Sequence, residues 1–110
     1  MVRYMTFGKY SAAGAAAAYK DGFGTRAKVL GDYINGLGGT LLEMRPIAED
    51  EWDFVAIYDF EDMKPAKRVA HGLLTFSSGG FERSTTYTLS TVEEADAIRA
   101  EMPGYRAPGQ

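Results

Sequence analysis

The feature that most constrains what this chain can fold into is the run from Gly38 to Phe60. Gly38-Gly39 opens it, residues 40–47 read as a strand, Ala48-Glu49-Asp50-Glu51 forms an acidic turn, and residues 52–60 are aromatic and β-branched almost throughout. Two strand-like runs joined by a short polar turn predict an antiparallel hairpin. Pro46 has no N–H to give to a ladder, so the first of the two strands lies at an edge or ends there.

The flanks repeat one pattern around this hairpin. Residues 2–10 have strand chemistry through Tyr4, Thr6, Phe7 and Tyr10, and Gly8 marks a bulge or a close approach of another group. Ser11 suits the N-cap of an alanine-rich helix over 12–20, with Gly14 as its weak point. Asp21-Gly22-Phe23-Gly24 interrupts the chain. Thr25 then caps a helix over 26–36, whose Ala27, Leu30, Ile34 and Leu37 fall on one face. After the hairpin, Asp59, Glu61 and Asp62 offer N-caps for a third helix. Pro65 is tolerated in its first turn, and Ala66, Val69, Ala70 and Leu73 form its expected buried stripe. Ser77 to Gly80 is a loop, and 81–89 is a strand rich in hydroxyl side chains. Ser90-Thr91-Val92-Glu93-Glu94 is a capping-box start for a last helix over 92–101.

The element order is strand, helix, strand, strand, helix, strand, plus an extra helix. It predicts an α+β protein of the ferredoxin-like, split βαβ-βαβ kind: a four-stranded antiparallel sheet with helices on one face. Residues 1–102 make a single domain, and 103–110 form a C-terminal tail ordered only by docking. One sheet face is then uncovered, which predicts a homodimer joined through that face. Alternation suggests which side chains lie where. Val55 and Ile57 suit packing under helices, with Met5, Phe7, Tyr87 and Leu89. That puts Tyr4, Thr6, Tyr10, Trp52, Phe54, Ala56, Tyr58, Ser84, Thr86 and Thr88 on the open side.

Composition narrows the function classes. A net charge of −3 argues against nucleic acid or an anionic membrane surface as partner. The chain contains no cysteine, which removes disulfides and thiolate chemistry. The alanine run 15–18 is far shorter than the roughly 20 residues of a membrane span. Nothing in the opening residues has the apolar run of a signal peptide, so a cytoplasmic location is expected.

Particular residues add a family resemblance. They are Arg3 to Tyr10 with Ser11 and Gly14; Arg26; Leu37-Gly38-Gly39; Trp52-Asp53; and the Thr85–Glu94 segment. Over residues 2 to about 95 the chain resembles the GYD-domain family, small ferredoxin-like proteins related to the dimeric α/β-barrel proteins. The namesake Gly-Tyr-Asp reads Glu51-Trp52-Asp53 here, so the turn before the strand has to accept a side chain. The resemblance implies a dimeric α/β-barrel type of assembly. That family has no generally assigned activity, and related barrels include cofactor-independent monooxygenases, isomerases and cyclases.

The candidate site residues are few. His71, the one histidine, suits proton transfer near neutrality. It also reads as a partly exposed helix residue beside the apolar stripe. Asp53 is a candidate base, or fixes a turn through backbone N–H groups. Tyr4 completes the catalytic candidates. Arg26 and Arg83 have the planar forks that bind carboxylate or phosphate, and they serve equally as ion-pair partners. Tyr10, Trp52, Phe54 and Tyr58 can line a pocket for a flat organic ligand or form a dimer core. A single histidine without cysteine makes no transition-metal site, and no cofactor is expected. Two readings stay open: a cofactor-independent enzyme acting on a small aromatic or polyketide-like molecule, and a non-catalytic ligand-binding or assembly module.

Overall fold

The computed structural model describes every residue from Met1 to Gln110. The elements are β1 (Val2–Tyr10), α1 (Ala12–Asp21), α2 (Phe23–Gly36), β2 (Gly39–Pro46), β3 (Phe54–Phe60), α3 (Pro65–Ser77), β4 (Phe81–Leu89) and α4 (Val92–Glu101). The sheet order is β2-β3-β1-β4, with every neighbouring pair antiparallel. This is the ferredoxin-like α+β arrangement expected from the element order. No helix is long and apolar enough to cross a membrane.

The local signals act largely as their chemistry dictates. The Ser11 hydroxyl accepts from the Gly14 N–H and caps α1, and the Thr91 hydroxyl accepts from Glu94 to cap α4. Pro46 is the last residue of edge strand β2. Two caps differ. Helix α2 begins at Phe23, with Gly22 at positive φ as its N-cap, so Thr25 lies inside it. Helix α3 has Lys64 as N-cap with no side-chain hydrogen bond, and Pro65 in its first turn. Asp59 is therefore no cap. It sits in β3, where Arg3 donates to both its carboxylate oxygens at 2.8 and 3.0 Å. That fork holds the Asp59 carboxyl below its ordinary pKa.

The facing expected from alternation is reversed. Tyr4, Phe54, Ala56, Tyr58 and Phe60 are buried beneath the helices with Ile34 of α2. Thr6, Ser84 and Thr86 share that side: Thr6 hydrogen-bonds Tyr58 and Thr86, and Ser84 faces the same hollow. Register then puts Met5, Phe7, Val55, Ile57, Tyr87 and Leu89 on the uncovered face. Trp52 is on the expected open side, against Phe7 at 5.9 Å between ring centroids. The physical reason is that β3 is apolar at both parities, so a period of two carries no phase.

Helix α3 is turned as well. Val69 and Leu73 of its expected stripe are 64% and 70% exposed, while His71, Gly72 and Thr75 face inward. By contrast Leu30, Ile34 and Leu37 of α2 do join the core.

Candidate functional site

The hollow between the sheet and helices α2 and α3 follows from one row of small residues. Ala56, Thr6 and Thr86 are neighbours across β3, β1 and β4. On one side of this row stand Tyr4, Tyr58 and Phe60, with Tyr4 stacked on Tyr58 at 5.7 Å. On the other stand Tyr10, Phe54 and Phe81, with centroids 5.3 to 6.2 Å apart. Two aromatic clusters prop the helices up and the small row between them leaves a dip. Gly8 belongs to the same construction, since a Cβ there would enter the Phe54 ring.

The resulting cavity has a volume of about 300 Å3 and is lined mainly by apolar side chains. That matches the lower end of small-molecule sites, which are concave and apolar with a few placed polar groups. Its floor is Thr6, Phe54, Ala56, Tyr58 and Phe60, and its roof includes Leu30, Tyr33 and Ile34 of α2 and His71 and Leu74 of α3. A smaller, more polar recess of about 210 Å3 adjoins it and shares Tyr58, Met63, His71, Thr75 and Ser84 with it.

Two polar devices face this space. In the roof, Tyr33 Oη and His71 Nδ1 are 2.7 Å apart, the rings lying nearly side by side at 5.5 Å. Burial, helped by the nearby Arg68 charge, pushes the His71 imidazole below its ordinary pKa of 6.5, so the ring is neutral at pH 7. Burial likewise raises the Tyr33 phenol. In the tautomer whose Nδ1–H donates to the phenol oxygen, Nε2 keeps a lone pair and is the basic atom. In the floor, Thr6 Oγ1 lies 2.7 Å from Tyr58 Oη and 2.8 Å from Thr86 Oγ1. Three hydroxyl protons serve two bonds, so one proton is left to donate to a ligand oxygen.

The expected site residues separate into two groups. His71, Arg26, Phe54 and Tyr58 line the cavity, Tyr4 lines the recess, and Tyr10 packs against Phe54 behind the cavity wall. Burial raises the Tyr10 phenol, and the neighbouring Arg26 charge partly offsets this. Asp53, Arg83 and Trp52 line neither space. Asp53 accepts from the Tyr10 N–H at 2.8 Å and meets Lys9 at 3.5 Å, which ties the β2–β3 turn to β1. Its carboxylate is engaged with the β1 backbone and Lys9, outside the cavity. Arg83 lies over the Trp52 ring at 4.6 Å and donates to the Glu51 carbonyl. Tyr33, Thr6, Thr86, Thr75 and Arg68 were not expected. Arg68 precedes His71 by three residues, a spacing that puts both on one helical face.

No group of histidine, cysteine and carboxylate side chains is arranged to hold a metal ion. No known family model matches the sequence, and no curated protein is significantly similar to it.

Proposed function

We propose that the chain is a cofactor-independent enzyme that moves a proton on a small, flat, largely apolar molecule, aromatic or polyketide-like, held between the sheet and helices α2 and α3. The observation that carries this reading is the His71 imidazole, hydrogen-bonded to Tyr33 and facing an apolar cavity. His71 Nε2 takes a proton from a carbon beside a carbonyl. The electron pair of the broken C–H bond delocalises to the carbonyl oxygen, which the spare hydroxyl proton of the Thr6–Tyr58–Thr86 row stabilises. Return of the proton to the same or another carbon completes an exchange or an isomerisation, and no oxidant is consumed.

The test uses 2-tetralone, a bicyclic ketone with one activated benzylic methylene. The protein is expected to accelerate solvent-deuterium incorporation at that carbon above the buffer rate, read by mass spectrometry. Binding without acceleration would favour a non-catalytic ligand-binding module. One observation supports that second reading: the cavity holds no carboxylate to pair with His71.

The resemblance to GYD-domain and dimeric α/β-barrel proteins, a cytoplasmic location and a homodimer belong to the same proposal. Three features support the dimer. The uncovered sheet face carries Met5, Phe7, Val55, Ile57, Tyr87 and Leu89, with Tyr87 still 55% exposed. Its edges hold both signs of charge, in the Arg3–Asp59 and Arg45–Glu43 pairs, so the patch is compatible with its own two-fold copy. Helix α4 is exposed along its whole length, and the radius of gyration is 17.3 Å against about 13 Å for a compact chain of this size. Sedimentation equilibrium at micromolar concentration is expected to give twice the 12.0 kDa chain mass, and Tyr87→Glu to return it to one. A wild-type monomer would contradict the dimer.

A further inference from the structure

The adjoining recess differs in chemistry from the cavity it opens beside. Tyr4, Ser84 and Thr86 bring hydroxyls to it, and Arg68 brings a positive charge. Arg68 makes no ion pair within the chain. His71 faces both spaces and marks where they meet. We propose that the two spaces form one amphipathic site whose ligand is a flat aromatic carboxylate: the ring system fills the apolar cavity and the carboxylate is bound in the recess by Arg68 and its hydroxyl neighbours. This deepens, and rests on, the reading of the cavity as a small-molecule site.

Three points carry the assignment. A guanidinium offers a planar fork that pairs with a carboxylate through two parallel N–H bonds, and hydroxyls satisfy the remaining lone pairs. Among the residues lining the recess no carboxylate already occupies that role. The other arginine of the site, Arg26, has its charge already facing the Tyr10 phenol, which packs against Phe54 and Phe81. Arg68 and His71 both line the recess. A ligand anchored at Arg68 therefore presents the carbons next to its carboxylate to His71, and the rings beyond them to the cavity.

The experiment compares 2-naphthoate with its uncharged isostere 2-naphthamide, by titration calorimetry on the wild-type protein and on Arg68→Met and Arg26→Met. Arg68 is exposed, so its replacement leaves the core intact, and a urea transition on each variant checks this. The expected result is that 2-naphthoate binds at least ~10-fold more tightly than 2-naphthamide, that Arg68→Met removes this preference, and that 2-naphthamide binds both proteins equally. Equal affinities for the two compounds, unchanged in Arg68→Met, would overturn the carboxylate assignment and leave the cavity reading standing. Loss of the preference in Arg26→Met instead would overturn the placement in the recess. Failure of both compounds to bind the wild-type protein would overturn the cavity reading and this one with it.

Discussion

Gly14→Ala is expected to lower the stability of the fold by roughly 2–3 kcal/mol, although alanine is the better helix former by about 1 kcal/mol. The sign reverses because α1 crosses the Ser78–Gly80 turn with no room for a side chain. A Cβ on Gly14 would overlap the Gly80 carbonyl oxygen and lie 2.7 Å from its carbon. That neighbour is backbone, so no rotamer change relieves the overlap. Overpacking of this kind costs about 1–3 kcal/mol. The same displacement strains two bonds that Ser11 makes to the turn, from its N–H to the Gly80 carbonyl at 3.0 Å and from its hydroxyl to the Gly79 carbonyl at 2.6 Å. Each contributes about 1 kcal/mol. The loss corresponds to a Tm lower by roughly 10–20 °C. Gly24 in α2 has open space where its Cβ would go, and Gly24→Ala is expected to be neutral or to stabilise by up to about 1 kcal/mol. Thermal denaturation of the two variants reads both signs, and a Gly14→Ala protein as stable as wild type would contradict the packing of α1 on the turn.

His71→Asn is expected to abolish the exchange reaction, with a loss of roughly 100-fold or more, because general-base catalysis contributes about 10²–10⁴. Asparagine keeps a polar side chain for Tyr33 but has no basic nitrogen. Binding of the flat ketone is expected to change little, so the loss falls in turnover. The wild-type pH profile carries a second signature. Burial and the Arg68 charge lower the His71 pKa, so activity is expected to be level through neutrality and to fall with acid at a midpoint below 6.5. Replacing Arg68 by Met removes one of the two causes and is expected to move that midpoint upward. The linkage runs in the same direction. Because the folded imidazole binds its proton more weakly than the unfolded one, stability falls as pH drops below 6.5 toward the folded pKa. An exchange rate unchanged in His71→Asn would assign the chemistry elsewhere.

The element pattern was legible in the sequence because each boundary has its own chemical signal. Strands 2–10 and 81–89 and the helix over 92–101 were read at the bounds the structure shows, since Ser11, Gly79-Gly80 and Thr91 punctuate the chain. The facing of the sheet was not legible. Phe54-Val55-Ala56-Ile57-Tyr58 is apolar at both parities, and a protein with a helix-covered face and a second apolar face gives alternation nothing to distinguish. For α3 the signal pointed the wrong way. Its apolar stripe turns outward because the inward face borders a cavity, where His71, Gly72 and Thr75 lie. The cavity itself could have been suspected from its floor. Ala56, Thr6 and Thr86 are small, but only the register of three strands from distant parts of the chain brings them into one row. The Tyr33–His71 pair has the same origin, since 38 residues separate the partners.

The proposed ligand site is the aromatic, helix-covered side of the sheet. The most direct measurement is a methyl-resolved NMR titration of the isotope-labelled protein with 2-tetralone. Ala56 and Ile57 are chain neighbours on opposite faces of β3, which makes them an internal comparison. Shifts are expected in the methyls of Leu30, Ile34, Ala56 and Leu74, with those of Met5, Val55, Ile57 and Leu89 unmoved. Shifts confined to Met5, Val55, Ile57 and Leu89 would place the ligand on the uncovered face and contradict it.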